Sequence, residues 1–123
     1  MSEASAPAAE FAQFRAAVLA KIRGDLAEEA VTSARLLDQR LAQLRPLVSA
    51  ARAEGVCGEV LLFGSCGWGQ PTEQSDVDLL VAGDADELAW RLAQAIDCEV
   101  DAWRVEDAPP ALVARARAEG IAL

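Results

Sequence analysis

Two aspartates one residue apart, Asp76-Val77-Asp78, run directly into the apolar stretch Leu79-Leu80-Val81. Aspartate is depleted in strands, because its carboxylate prefers nearby backbone or water. Side chains alternate along a strand, so Asp76 and Asp78 share one face while Val77 and Leu79 take the other. Their Cα atoms then lie roughly 6.5–7 Å apart. Two anions at that spacing repel unless a cation lies between them. Magnesium takes oxygen ligands, commonly one or two carboxylates plus substrate phosphates. A pair of ions about 3.5–4 Å apart fits the same clamp. A third carboxylate, Asp101, stands between Val100 and Ala102. It joins the first two at one site if its strand pairs beside theirs. Taken singly, each aspartate has a plainer reading, a strand-end residue facing water. The pair together with the loop before it favours a site.

That loop opens at Gly64-Ser65, directly after the apolar Leu61-Leu62-Phe63. Glycine permits a sharp turn and close approach of a ligand to the backbone. The free N–H groups that follow, with the Ser65 hydroxyl, suit phosphate oxygens. Ten residues, 66–75, separate Ser65 from Asp76. The first of them, Cys66-Gly67-Trp68-Gly69-Gln70, carry no positive charge, and no Lys or Arg lies between Arg52 and Arg91. Triphosphate binding would then fall to metal and backbone amides, or to Arg91, Arg104 or a partner's side chain. Trp68 suits stacking on a base and equally suits closing the pocket against a partner. Cys66 reads as a small structural filler ahead of a reactive thiol.

Composition narrows the classes. The chain has 123 residues, a formal charge of −9, three cysteines and no histidine. Without histidine there is no Ser-His-Asp or Cys-His catalysis and no histidine-ligated zinc. Cys57, Cys66 and Cys98 have no CxxC spacing and read as reduced thiols in a cytoplasmic protein. Residues 1–56 hold 7 basic and 7 acidic side chains, whereas residues 57–123 hold 4 and 13. Direct nucleic-acid binding needs a cationic surface and is not expected of that acidic half. No secretory leader and no membrane-length apolar run is read.

The elements that must position these residues follow from periodicity. Residues 1–8 read as a loose tail. Phe11, Phe14, Val18, Ile22 and Leu26 form one stripe of a helix over 9–30. Thr32-Ser33 is read as the cap of a second helix over 33–54, with Leu37, Leu41, Leu44 and Val48 inward and a kink or restart at Pro46. The two could pack as a hairpin or meet another chain. Gly55 ends the second. Strands are predicted at 59–63, 76–82 and 99–105, helices at 84–96 and from Pro109-Pro110 to Glu119, and a short edge strand at 121–123. Asp84 is the expected cap of the third helix, over 84–96. The result is an α/β (α+β) chain with a small mixed sheet under helices. We divide it into an N-terminal tail and helix, 1–31, and a domain, 32–123.

Leu62-Phe63-Gly64-Ser65, Gly69 and Ser75-Asp76-Val77-Asp78-Leu79-Leu80-Val81 together resemble the nucleotidyltransferase superfamily of the DNA polymerase β type. The resemblance spans about residues 45–123 and is strongest to the minimal nucleotidyltransferase (MNT) antitoxins encoded beside HEPN proteins. Val100-Asp101-Ala102-Trp103, Ala108-Pro109-Pro110-Ala111-Leu112 and Glu119-Gly120-Ile121 are similar to the close of those chains. The resemblance implies transfer of AMP from ATP to an acceptor hydroxyl with Mg2+, two ions in all. Gly64, Ser65 and Ser75 would hold the nucleotide. Asp76 and Asp78 would ligate the metals. Asp101 would ligate the catalytic metal and help deprotonate the acceptor. The implied partner is a HEPN-type ribonuclease toxin, modified on a tyrosine that this chain lacks. Homo-oligomerisation through the N-terminal helices is a further expectation. Two other functions stand beside this one: a catalytically weak module that neutralises a partner by binding it, and a small-molecule nucleotidyltransferase.

Overall fold

The computed structural model describes the backbone of residues 2–72 and 74–123, and the side chains of 12–72 and 74–123. The chain divides into two compact units, Met1–Thr32 and Ser33–Leu123. One helix, α1 (Ser2–Ala53), runs through the first unit and into the second. The two helices expected over 9–30 and 33–54 are therefore one. Neither Gly nor Pro occurs between residues 25 and 45, so nothing there breaks the backbone, and Thr32-Ser33 lies inside the helix rather than capping a new one. Nor does Pro46 restart it. Leu44 and Val48, the residues on either side of the proline's turn, are fully buried, and that packing outweighs one lost backbone bond. The loose tail expected over 1–8 is not seen: from Ser2 the backbone is already part of α1. The Phe11 member of the stripe concerns a side chain outside the described residues. No helix among the described residues is long and apolar enough to cross a membrane.

The second unit continues as β1 (Cys57–Phe63), a single helical turn α2 (Gly64–Gly67), β2 (Val77–Gly83), α3 (Ala85–Ala95), β3 (Val100–Arg104), α4 (Pro110–Glu119) and β4 (Ile121–Ala122). The sheet order is β3-β2-β1-β4. β1 pairs antiparallel with β2 and β4, and β2 pairs parallel with β3. The mixed sheet and its covering helices match the architecture expected from the sequence.

Local chemistry explains the element ends. The Asp84 side chain accepts from Glu87 N at 3.1 Å and caps α3. Pro110, lacking an N–H, opens α4 where that donor would have no helical acceptor. Arg52, near the end of α1, donates to Gly58 O at 3.0 Å and to Leu123 O at 2.7 Å, tying the helix to β1 and to the chain end.

Alternation along the strands sorts the core into two layers. Val60 and Leu62 of β1 and Val77, Leu79 and Val81 of β2 pack with Leu44, Val48 and Ala51 of α1 and Leu88 and Leu92 of α3. The opposite face carries Leu61 and Phe63 of β1 and Leu80 of β2. It packs with Ala108 and Ala116, flanked by Leu112 and Val113 of α4. Asp78 has the parity of Leu80, so it belongs to this second face.

Candidate active site

β1 ends at Phe63, whose register partner across the antiparallel pair is Asp78. Asp78 is in turn the register partner of Asp101 across the parallel pair of β2 and β3. Register partners project to the same face of a sheet, so the two carboxylates are neighbours. Asp76 is exposed and stands one residue before β2. Its charge still reaches the pair. Asp78 is half-buried, and its carboxyl is held above the usual range by burial first, then by Asp101, then by Asp76. Asp101 therefore lies on the same side of the sheet as Asp78, the condition for a shared site.

Gly64 forms the other wall. Its φ is +71°, a conformation that L side chains rarely adopt. A Cβ at this position would also run into the Asp78 carboxylate oxygen Oδ2. Residue 64 must be glycine on both counts. The backbone then winds into α2, with Trp68 N and Gly69 N both donating to Gly64 O, at 3.0 and 3.2 Å. Gly69 passes close to this turn: a Cβ there would stand 2.9 Å from Ser65 Cα. Ser65 is partly buried in the turn that faces Asp78 across Gly64.

Ser75 lies elsewhere in the loop's hydrogen bonding. Its hydroxyl accepts from Thr72 N at 2.7 Å, and its own N–H donates to Thr72 O at 3.1 Å. It closes a local turn that delivers the chain to Asp76. Cys66 is buried, and its Sγ donates to Asp76 O at 3.7 Å, joining α2 to the start of β2. Burial pushes the Cys66 thiol up, outweighing the opposing pull of Arg40 and the Ser65 hydroxyl. A thiol held protonated is a weak nucleophile, in keeping with the structural reading.

The cations sort differently from expectation. Arg91 is bound to Glu54 and, at 2.9 Å, to Glu87. Arg104 pairs with Asp107 at 2.9 Å. Both guanidiniums are paired with carboxylates. A cation that sequence reasoning missed, Arg115 of α4, stacks on a loop residue, Trp68. Its Cζ lies 4.2 Å from the Trp68 ring centroid, a cation–π contact. Trp68 in turn packs on Phe63, with ring centroids 5.7 Å apart. Arg115 also pairs with Glu119 at 2.6 Å, on the same helix. No motif announces Arg115; only the docking of α4 brings it beside the glycine-serine turn. Trp103 pairs in register with Leu80 and remains 47% exposed, so it is not a core residue.

Among the described residues, no three His, Cys, Asp or Glu side chains gather closely enough to enclose a metal ion. The donor set that could hold one is the Asp78–Asp101 pair. Two like charges side by side, one of them partly desolvated, suit a hard divalent cation that completes its shell with phosphate oxygens and water. A cavity of about 130 Å³ beside the loop belongs to a different place: it is lined by Arg40 and Gln43 of α1 with Cys66, Pro71 and Thr72.

The comparisons with known proteins agree with this fold. The nucleotidyltransferase domain family model matches residues 45–118. The chain belongs to the nucleotidyltransferase domain family. A solved structure provisionally described as a minimal nucleotidyltransferase superposes with a TM-score of 0.61 at 29% identity, covering 71% of this chain and 95% of that one. No curated protein matches the sequence. The matched span contains the glycine-serine turn, Asp76, Asp78, Asp101 and Arg115. The family points to transferase chemistry on a nucleoside triphosphate.

Proposed function

We propose that the chain is a Mg2+-dependent adenylyltransferase that moves AMP from ATP to a hydroxyl of a protein partner, as the antitoxin of a HEPN-type toxin pair. The observation that carries the transferase reading is the in-register pair Asp78–Asp101, with Gly64 pressed against Asp78 at the mouth of a glycine-serine turn. Asp78 and Asp101 would hold the metal, joined by Asp76 once phosphate oxygens complete the shell. The ion would neutralise charge on the triphosphate and lower the acceptor hydroxyl's pKa.

The chain's own residues supply the rest. Ser65 and the backbone amides after Gly64 grip phosphate oxygens. Arg115, on the Trp68 ring, offers the positive charge that the loop lacks. Trp68 holds that guanidinium over its ring. Asp101 stands beside Asp78 where the acceptor hydroxyl would approach, and takes its proton as the P–O bond forms and pyrophosphate leaves. Catalysis is then positioning and electrostatics. A protein acceptor is what the sequence resemblance to the MNT antitoxins implies. The absence of tyrosine places any tyrosine acceptor on another chain.

The test is incubation with ATP, Mg2+ and the product of the adjacent gene, followed by intact-mass measurement of that product. A gain of one AMP that is lost in Asp76→Ala and Asp78→Ala supports the enzyme. Neutralisation of the partner that survives both substitutions would replace it with a binding module. Pyrophosphate release with small hydroxylated acceptors and no protein would make the substrate a small molecule.

A further inference from the structure

Residues four apart on an α-helix form a surface ridge. In the first unit, α1 carries such a ridge in Phe14, Val18, Ile22 and Leu26, exposed by 67%, 39%, 48% and 60%. On one flank, the row Arg15, Leu19, Arg23, Ala27 and Val31 adds two more exposed apolar side chains, Leu19 and Val31. Every residue from 12 to 32 is exposed. Most helical stability in water comes from packing an apolar face, and this one is uncovered.

Charge identifies what covers it. The row on the other flank is Ala17, Lys21, Asp25 and Glu29: basic toward its N-terminal end, acidic toward its C-terminal end. Lay a second copy of α1 antiparallel on the first, with a two-fold axis between Ile22 and Leu26. Ile22 of each copy then meets Leu26 of the other, and Val18 meets Ala30. The charged row keeps to the same flank in both copies. Lys21 of each falls between Asp25 and Glu29 of the other. In a parallel pairing the flanks exchange, and Lys21 would instead face the row carrying Arg15 and Arg23. We propose that the ridge running from Phe14 through Val18, Ile22, Leu26 and Ala30 to Ala34 is covered by the same ridge of a second copy of this chain, running antiparallel, in a two-fold symmetric dimer. The isologous contact closes on itself. This inference does not depend on the transferase reading.

Sedimentation of the full chain over a hundredfold range of concentration tests it, with far-ultraviolet circular dichroism confirming that each variant folds. The expected species has twice the 13.0 kDa chain mass. Ile22→Asp, which places a charge on the ridge, is expected to give a monomer. Lys21→Glu should weaken association at least tenfold. Adding Asp25→Lys and Glu29→Lys to it should restore association, because the pairing is reversed as a whole. A chain that is monomeric throughout, or that needs a different protein to cover this ridge, overturns the proposal. So does a dimer that survives Ile22→Asp. A triple variant no tighter than Lys21→Glu overturns the antiparallel register.

Discussion

The two faces of the sheet are built from alternate residues of the same strands, yet they do different work. On one face Val77, Leu79 and Val81 of β2 are all fully buried beneath α1 and α3. On the other, Leu80 is fully buried while Asp78, two residues earlier, is only partly covered. α4 covers the Leu80 end of that face and leaves the N-terminal end of β2 open. One strand thus changes from core to site within two residues, on one side only. The apolar face fixes the register. The register then sets Asp78 beside Asp101 and against Gly64 without any specific bond between the acids. A pair of like charges gains nothing from meeting, so the core must impose the meeting.

The largest way to break that contrast is to change the two faces separately. Asp78→Asn should leave the chain folded and lower nucleotidyl transfer by at least about a thousandfold, the scale on which an essential electrostatic partner is lost. Pyrophosphate release under saturating ATP and Mg2+ checks it. Leu79→Ala, one residue on, should do the reverse. It should cost about 2–5 kcal/mol of unfolding free energy, because the site is closed on all sides, while the chain that remains folded keeps its transfer rate. Denaturant unfolding followed by tryptophan fluorescence measures the first effect. A Leu79→Ala variant inactive while still folded would show that the faces are not separable.

Much of this was legible in the sequence, because it is local. The Asp84 cap, the prolines at the start of α4 and the short closing strand each depend on residues within a few positions. The Asp76-Val77-Asp78 alternation pointed to one face for the same reason. The pairing of Asp78 with Asp101 could only be stated conditionally. Those residues meet across a parallel pair whose connection, α3, carries no register information of its own. Arg115 was invisible for a stronger reason. Its nearest partner in the sequence sense, Glu119, explains it as an ordinary i,i+4 pair. Its contact with Trp68 arises only when Leu112, Val113 and Ala116 seat α4 on Leu61, Phe63 and Leu80. The continuity of α1 was misread because Thr32-Ser33 has the composition of a cap. Composition permits a cap; only a break in the preceding helix requires one.

Arg115 sharpens the comparison at a smaller magnitude. If the open half of the acidic face draws its positive charge from α4, Arg115→Gln should raise the KM for ATP about tenfold, on the scale of one charge-assisted hydrogen bond. kcat should change less, and stability should shift by no more than the roughly 0.5 kcal/mol typical of surface positions. Arg104→Gln is the matched control: like Arg115, Arg104 is paired with carboxylates, Asp107 and Glu106, while only Arg115 is stacked on Trp68. Equal effects from the two substitutions would mean that only net charge matters. No effect from Arg115→Gln would return triphosphate binding to metal and backbone alone.

The smallest effect is the most direct probe of the acid pair, and its sign is fixed. Asp78 is held above the ordinary aspartate range by burial, Asp101 and Asp76. Between the unfolded value and that raised value, the folded chain keeps a proton that the unfolded chain has lost. Stability supplied by this group is therefore present at low pH and falls as pH rises through the window. Asp78→Asn removes the ionisation, so the variant should lack that slope and be the more stable protein at neutral pH. Thermal melts of both proteins across the acidic range give the difference directly. Added Mg2+ should then raise the wild-type midpoint at neutral pH, by relieving the repulsion between Asp78 and Asp101, and leave Asp78→Asn nearly unmoved. Identical curves for the two proteins, with and without the ion, would mean that the carboxylates share a face of the sheet without sharing a field, and a cation would then have no reason to bind between them.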